Sequence, residues 1–289
     1  MKLCRFNQDR LGVVLDNEIA DITSVIQQLP AVRYPLPRHD PLIAHLAQLR
    51  PSIEAALSQA ERIPLSQVSF LSPVANPGKL VAAPVNYLKH LQEVLGDSKL
   101  HHNNSINEIQ KAGLFLKATS SLVGASHGIE INQPERRTDH EIELAVVIGK
   151  TAKNVSASEA LSYVAGYTIG LDITIRGPEE RSMRKSPDTY SILGPWMVTA
   201  DELQNPDDLG FELTVNGETR QKSNTSDLII GVAGLIEFAT RFYTLYPGDI
   251  IYTGTPEGVG QIKAGDAIHG NMEGIGDINV TVQTTSGGI

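Results

Sequence analysis

Glu141 and Glu143 stand two residues apart in EIELAVVIG, residues 141–149. That run is too continuously apolar for a solvated face and reads as a buried strand that begins with carboxylates. Residues two apart on a strand point to the same side, so the two carboxylates share one face while Ile142 and Leu144 take the other. Asp172 follows on the next predicted strand, GYTIGLDITI, residues 166–175. If it joins the pair, each like-charge contact at about 4 Å costs about 4 kcal/mol at an effective dielectric of about 20. Protonation through raised pKa values would relieve this repulsion, and so would a hard cation with oxygen ligands: Mg2+, Mn2+ or Ca2+. A solvated strand end is the simpler alternative.

A second group lies in VNYLKHLQE, where His90 and Glu93 are three apart and share one face of a predicted helix. A carboxylate that orients an imidazole makes a general base, and an unperturbed pKa of about 6.5 suits neutral pH. A surface histidine beside a glutamate is the alternative.

The elements that must position these groups follow from patterning. Two β-like pieces around Asp16 and Asn17 predict a hairpin. Leu42, Leu46, Leu49, Ile53 and Leu57 recur at helical spacing, and Pro51 is expected to divide that stretch into two short helices. The Pro- and Gly-rich segment LSPVANPGK then reads as a boundary between a small N-terminal domain, 1–72, and a larger one, 73–289. Ser156 and Glu159 predict a capping box for a short helix running to Gly166, and Asn216-Gly217 predicts a hairpin turn. The positions Leu228, Val232, Leu235, Ile236, Ala239 and Phe242 predict an amphipathic helix. The fold class expected is α+β and β-rich.

The chain has 289 residues, 33 acidic and 24 basic side chains and a formal charge of -9, which phosphate backbones and anionic lipid would repel. Nucleic acid and membrane are therefore poor partners. The single cysteine, Cys4, cannot form an internal disulfide, and the start MKLCRFNQDRLG lacks the apolar core of a signal peptide, so a cytoplasmic location is expected.

In order and spacing, VNYLKHLQE, LFLKATSSLVG, RRTDHEIELAVVIGK, YVAGYTIGLDIT, RKSPDTYSILGPW, VNGETRQKSNTSDLI and PGDIIYTGTPEGVG resemble the successive signatures of the fumarylacetoacetate hydrolase family. The resemblance covers about residues 75–285. It implies a mixed β-sandwich or roll catalytic domain, a small α/β N-terminal domain and a homodimer. It further implies that Glu141, Glu143 and Asp172 hold Mg2+ or Mn2+, that His90 and Glu93 form the catalytic dyad, and that Lys185 stabilises an enolate. Lys117, Arg176, Glu179 and Thr255 align with positions near the ligand.

The reaction so implied is hydrolysis of a carbon–carbon bond in an acylpyruvate or diketo acid, releasing pyruvate or a related 2-oxo acid. Decarboxylation or tautomerisation of a 2-oxo acid, and an inactive 2-oxo-acid-binding paralogue, are the alternatives. Arg176-Gly177-Pro178-Glu179 departs from the Arg-Asp-x-Gln common in the family, exchanging an amide for a carboxylate, and Pro187 replaces an aromatic. The stretch 91–113, with His101, His102, Asn103 and Asn104, is longer and more polar than in small members, as expected of a lid. The adjacent histidines are not read as metal ligands.

Overall fold

The computed structural model describes residues 1–102 and 106–284, apart from the side chain of His101. The strand that carries the carboxylates, Ile142–Ile148, is buried along its whole length. Its alternation explains why. Ile142, Leu144, Val146 and Ile148 pack into one apolar cluster, while Ala145 and Val147 pack into another with Leu80, Ile250 and Tyr252. A strand with both faces covered must be apolar throughout, which is what the sequence spells after its acidic start.

This strand pairs antiparallel with Val164–Asp172 on one side and with Ile250–Tyr252 on the other. From Val164–Asp172 the sheet continues through Ser191–Thr199, Lys2–Phe6, Arg10–Leu15, Glu18–Asp21 and Arg62–Pro64. From Ile250–Tyr252 it continues through Leu80–Ala82 to Phe115–Lys117. The N-terminal segment expected as a small domain thus adds edge strands to the central sheet, through the pairs Lys2 with Val198 and Leu3 with Met197.

A second sheet of five strands holds Glu218–Asn224, Gly210–Val215, Ala267–Met272, Gly276–Thr284 and Ile129–Ile131. Ile268, Ile278 and Val280 from it share a core with Ile142 and Ile169 of the first, so the two sheets pack face to face. Asn216 and Gly217 both have positive φ, 53° and 81°, the conformation that a two-residue hairpin requires of its central residues. The N-terminal hairpin turns at Asp16 and Asn17 as predicted.

Helix boundaries differ from expectation in three places. Residues Pro41–Ala56 form one helix, capped by Asp40, whose side chain accepts from the N–H of Ile43 at 3.0 Å. Pro51 does not divide it. The proline lies on the exposed face, where water can satisfy the carbonyl that loses its partner, and its φ is already helical. The amphipathic helix begins at Val232, after Gly231, because the carboxylate of Asp207 caps the N–H of Val232 at 2.8 Å and leaves Leu228 outside. After Ser156 the helix covers only Ala157–Ala160, and the chain passes through a 3-10 turn into strand at Val164, since backbone pairing to Ile148 starts there. Among the described residues no helix is long and apolar enough to cross a membrane.

One glycine ties the sheet to the region around the carboxylates. A Cβ on Gly170 would lie 2.6 Å and 2.9 Å from ring carbons of the buried Tyr252 and 3.3 Å from Cβ of Ala145. Gly170→Ala is expected to lower stability by about 1–3 kcal/mol through overpacking. Urea unfolding monitored by circular dichroism would show this as a lower midpoint with the slope retained.

Candidate active site

The end of the central sheet gathers the acidic residues. Glu141 immediately precedes its strand, Glu143 pairs with Gly170, and the N–H of Asp172 donates to the carbonyl of Glu141 at 2.9 Å. Backbone pairing alone therefore brings the three carboxylates together, and one oxygen from each lies within 4.8 Å of the others. All three residues are almost fully buried, at 4%, 2% and 1% exposure.

Cations and N–H groups answer these charges unequally. The ammonium of Lys185 donates to Glu141 and to Asp172, both at 2.7 Å, and to the hydroxyl of Thr174 at 2.7 Å. Lys117 approaches Asp172 from another side and donates to the carbonyl of Tyr190 at 2.7 Å. Arg176 is held between Asp139 and Glu141, 2.8 Å from each. Glu143 forms no ion pair among the described residues and accepts a hydrogen bond from the N–H of Gly254 at 2.6 Å.

The two glutamates consequently diverge in acidity. Burial alone would raise the carboxyl of Glu141, but Lys185 and Arg176 hold it well below the usual carboxylate range. Burial pushes the carboxyl of Glu143 well above that range, and neighbouring Asp172 adds to the shift. A buried carboxyl with one N–H partner, beside two more carboxylates, is the environment that an oxygen-liganded divalent cation stabilises. The donor set therefore fits Mg2+ or Mn2+.

His90 lies on the helix Leu88–Gly96 and is 5% exposed. Its Nδ1 is 2.8 Å from Oε2 of Glu93, and the other carboxylate oxygen of Glu93 accepts from the N–H of Gly258 at 3.0 Å. With an ionised acceptor on Nδ1, that nitrogen carries the proton and Nε2 is left as a base. The helix is aimed by its preceding residues. Asn86 is fully buried and clamps three segments, donating to the carbonyls of Ile230 and Thr253 at 2.9 Å and 2.8 Å and accepting from the N–H of Ile230 at 2.9 Å. Val85, a β-branched residue on the cavity wall, is held at φ 50°, a strained conformation that this clamp must sustain.

One cavity is lined by His90, Glu141, Glu143, Asp172, Lys185 and Arg176, with Thr255 at its edge. The hydroxyl of Thr255 donates to the carbonyl of Ile142 at 2.9 Å and accepts from Nε2 of Gln221 at 2.8 Å, which locks the loop after Tyr252 against the strand Ile142–Ile148. Lys117 stands behind Asp172 and does not line the cavity. Glu179 lies outside it, held by Arg136 at 2.8 Å and 3.1 Å beside a separate basic groove. Gly177 makes that pair possible, since a Cβ there would come 2.0 Å from Arg136.

The segment 91–113 does reach the site. Val94, Leu100 and Ile106 line the cavity and pack with Val259. Asn103, Asn104 and the side chain of His101 lie outside the described residues. Sequence reasoning missed Asn86 as a clamp, Gln221, Asp139 and the arginines Arg181 and Arg184 of the cavity wall. The one signal in the chain for the arginines was the density of basic residues in RSMRK.

A family model described as fumarylacetoacetate hydrolase, C-terminal, matches residues 79–283. A maleylpyruvate hydrolase of Aquipseudomonas alcaligenes is 56% identical over 288 residues, spanning 98% of this chain and all of that protein. A mitochondrial oxaloacetate tautomerase of Rattus norvegicus is 37% identical, spanning 78% of this chain and 75% of its own. The crystal structure of maleylpyruvate hydrolase from Sphingobium sp. SYK-6 in complex with manganese(II) ion and pyruvate superposes with a TM-score of 0.84 at 41% identity, covering 98% of this chain and 99% of that one. With its carboxylate cluster, dyad and sheet order already on one site, the chain belongs to the fumarylacetoacetate hydrolase family.

Proposed function

We propose that this protein is a metal-dependent hydrolase that cleaves the carbon–carbon bond of an acylpyruvate to release pyruvate and a carboxylic acid. The observation that carries the proposal is the convergence on one cavity of the carboxylate cluster, Lys185 and the His90–Glu93 dyad. The relatives that act on maleylpyruvate, one of them holding manganese and pyruvate, support it.

In this reading Glu141, Glu143 and Asp172 hold Mg2+ or Mn2+, with Ca2+ as an alternative ion. When bound, the ion supplies Lewis acidity and a template for the carboxylate and 2-oxo oxygens of the substrate. His90 takes a proton from water at Nε2, and Glu93 keeps the imidazole in the required tautomer and stabilises the charge that forms. The hydroxide adds to the carbonyl carbon of the acyl group. Collapse of that adduct breaks the bond to the methylene carbon, and the electron pair becomes the enolate of pyruvate. Lys185 places a cation where this charge develops, and the methylene carbon then takes the proton that His90 holds. Lys117 acts indirectly, by fixing Asp172, and Arg176 likewise fixes Glu141.

The roles of Thr255 and Glu179 differ in this reading. Thr255 borders the ligand, whereas Glu179 acts only through its pairing with Arg136. Residues 1–72 form a small N-terminal unit and 73–289 the catalytic one, since the cavity lining begins at Ala83. The working assembly is a homodimer in the cytoplasm.

Incubation with Mn2+ and acetylpyruvate is expected to yield equimolar pyruvate and acetate, read by a coupled reductase assay. Carbon dioxide from 2-oxo dicarboxylates, or only an ultraviolet change marking keto–enol exchange, would overturn the hydrolase reading. His90→Ala is expected to lower kcat by about 10²- to 10⁴-fold with Mn2+ affinity retained by calorimetry. A variant that turns over normally would contradict the role of the dyad.

A further inference from the structure

The basic residues around the cavity are not all neutralised. Arg176 is spent on Asp139 and Glu141, and Lys185 on Glu141 and Asp172. Arg184 donates to the carbonyls of Glu179 and Ile175 at 2.9 Å and 3.1 Å. The side chain of Arg181 lines the same cavity and makes no hydrogen bond or salt bridge with any described residue, although the carboxylates of Glu180, Glu141 and Asp172 act on it through space. Its guanidinium rests over the ring of Phe115, 5.5 Å from the centroid. The ammonium of Lys185 is 5.7 Å from the same ring.

Arg181 and Lys185 open and close one short helix, Arg181–Lys185. Four residues apart, they share a face and are separated by slightly more than one turn, about 6 Å of rise. Phe115 lies beside both, and the apolar part of the cavity wall is completed by Val94, Leu100 and Ile106. A partly buried guanidinium without a hydrogen-bonded anion is costly, and stacking on a ring offsets only part of the cost. Its planar fork matches a carboxylate in two parallel hydrogen bonds.

We propose that Arg181 binds a second carboxylate at the far end of the substrate's acyl group and is the residue that sets the preference for a diacid over a monoacid acylpyruvate. This rests on the reading of the site in which the 2-oxo acid end lies at Lys185 and the carboxylate cluster. Phe115 acts as the spacer that keeps the two cations one turn apart, and Val94, Leu100 and Ile106 cover the carbon chain between them.

The test uses two unreactive ligands of equal length, 2-oxoheptanedioate and 2-oxoheptanoate, titrated calorimetrically into the Mn2+-loaded protein. The diacid is expected to bind about 10- to 100-fold more tightly than the monoacid, the range for a hydrogen-bonded charge. In Arg181→Met the ratio of the two dissociation constants should fall towards one, and in Arg181→Lys it should take an intermediate value. A ratio that stays at the wild-type value in Arg181→Met, or equal binding of both ligands by the wild type, would overturn the proposal. Neither ligand has a scissile diketone, so the ratio is read independently of turnover. Failure to release pyruvate from any acylpyruvate sinks the hydrolase reading and leaves this result standing.

Discussion

Glu141, Glu143 and Asp172 bring three carboxylates within 4.8 Å of one another in a place that solvent barely reaches, and repulsion of that size in a buried site has to be balanced by other charges. Much of the surrounding architecture follows from this requirement. Lys117, Lys185 and Arg176, each costly to bury alone, are stable there because the carboxylates are. The strands that carry the cluster are buried on both faces and joined by continuous pairing, so the charges cannot relax by moving apart. Burial depresses the basicity of Lys117 while Asp172 opposes that effect, and Glu143 is left with one main-chain N–H. The cluster is balanced on two corners and open on the third.

The same balance gives the site its direction. His90, held by Glu93 and the Gly258 N–H, lines the same cavity as the cluster. Val94, Leu100 and Ile106 add apolar surface to the cavity wall, which raises the strength of every charge inside. A 2-oxo acid would find a cation template and Lys185 at one end and a base above its acyl carbonyl. Arg181 extends that line of charge outward by one helical turn.

Much of this was legible in the sequence where the signal is local. The period-two spacing of Glu141 and Glu143 and the helical spacing of His90 and Glu93 report which face each side chain shares, and both hold in the fold. Tertiary partners are not encoded that way. Nothing about Arg176 in sequence reveals that Asp139 and Glu141 engage it from a neighbouring strand, and alignment placed Glu179 near the ligand although Gly177 and Pro178 carry it outward to Arg136. Gln221 acts through a contact 81 residues away and Asn86 through contacts 144 and 167 residues away, beyond any periodic pattern. Pro51 misled for a different reason: a proline breaks a helix only where its lost hydrogen bond cannot be made up, and an exposed face makes it up with water.

The most direct test of the charge-balance account is a calorimetric titration of Mn2+ into the metal-stripped wild-type protein and into Glu143→Gln. The account predicts one ion per chain for the wild type and an affinity lowered by about 100-fold or more in the variant, with thermal stability unchanged or higher because a repelling carboxylate has been removed. Equal Mn2+ affinity in the two proteins would contradict it.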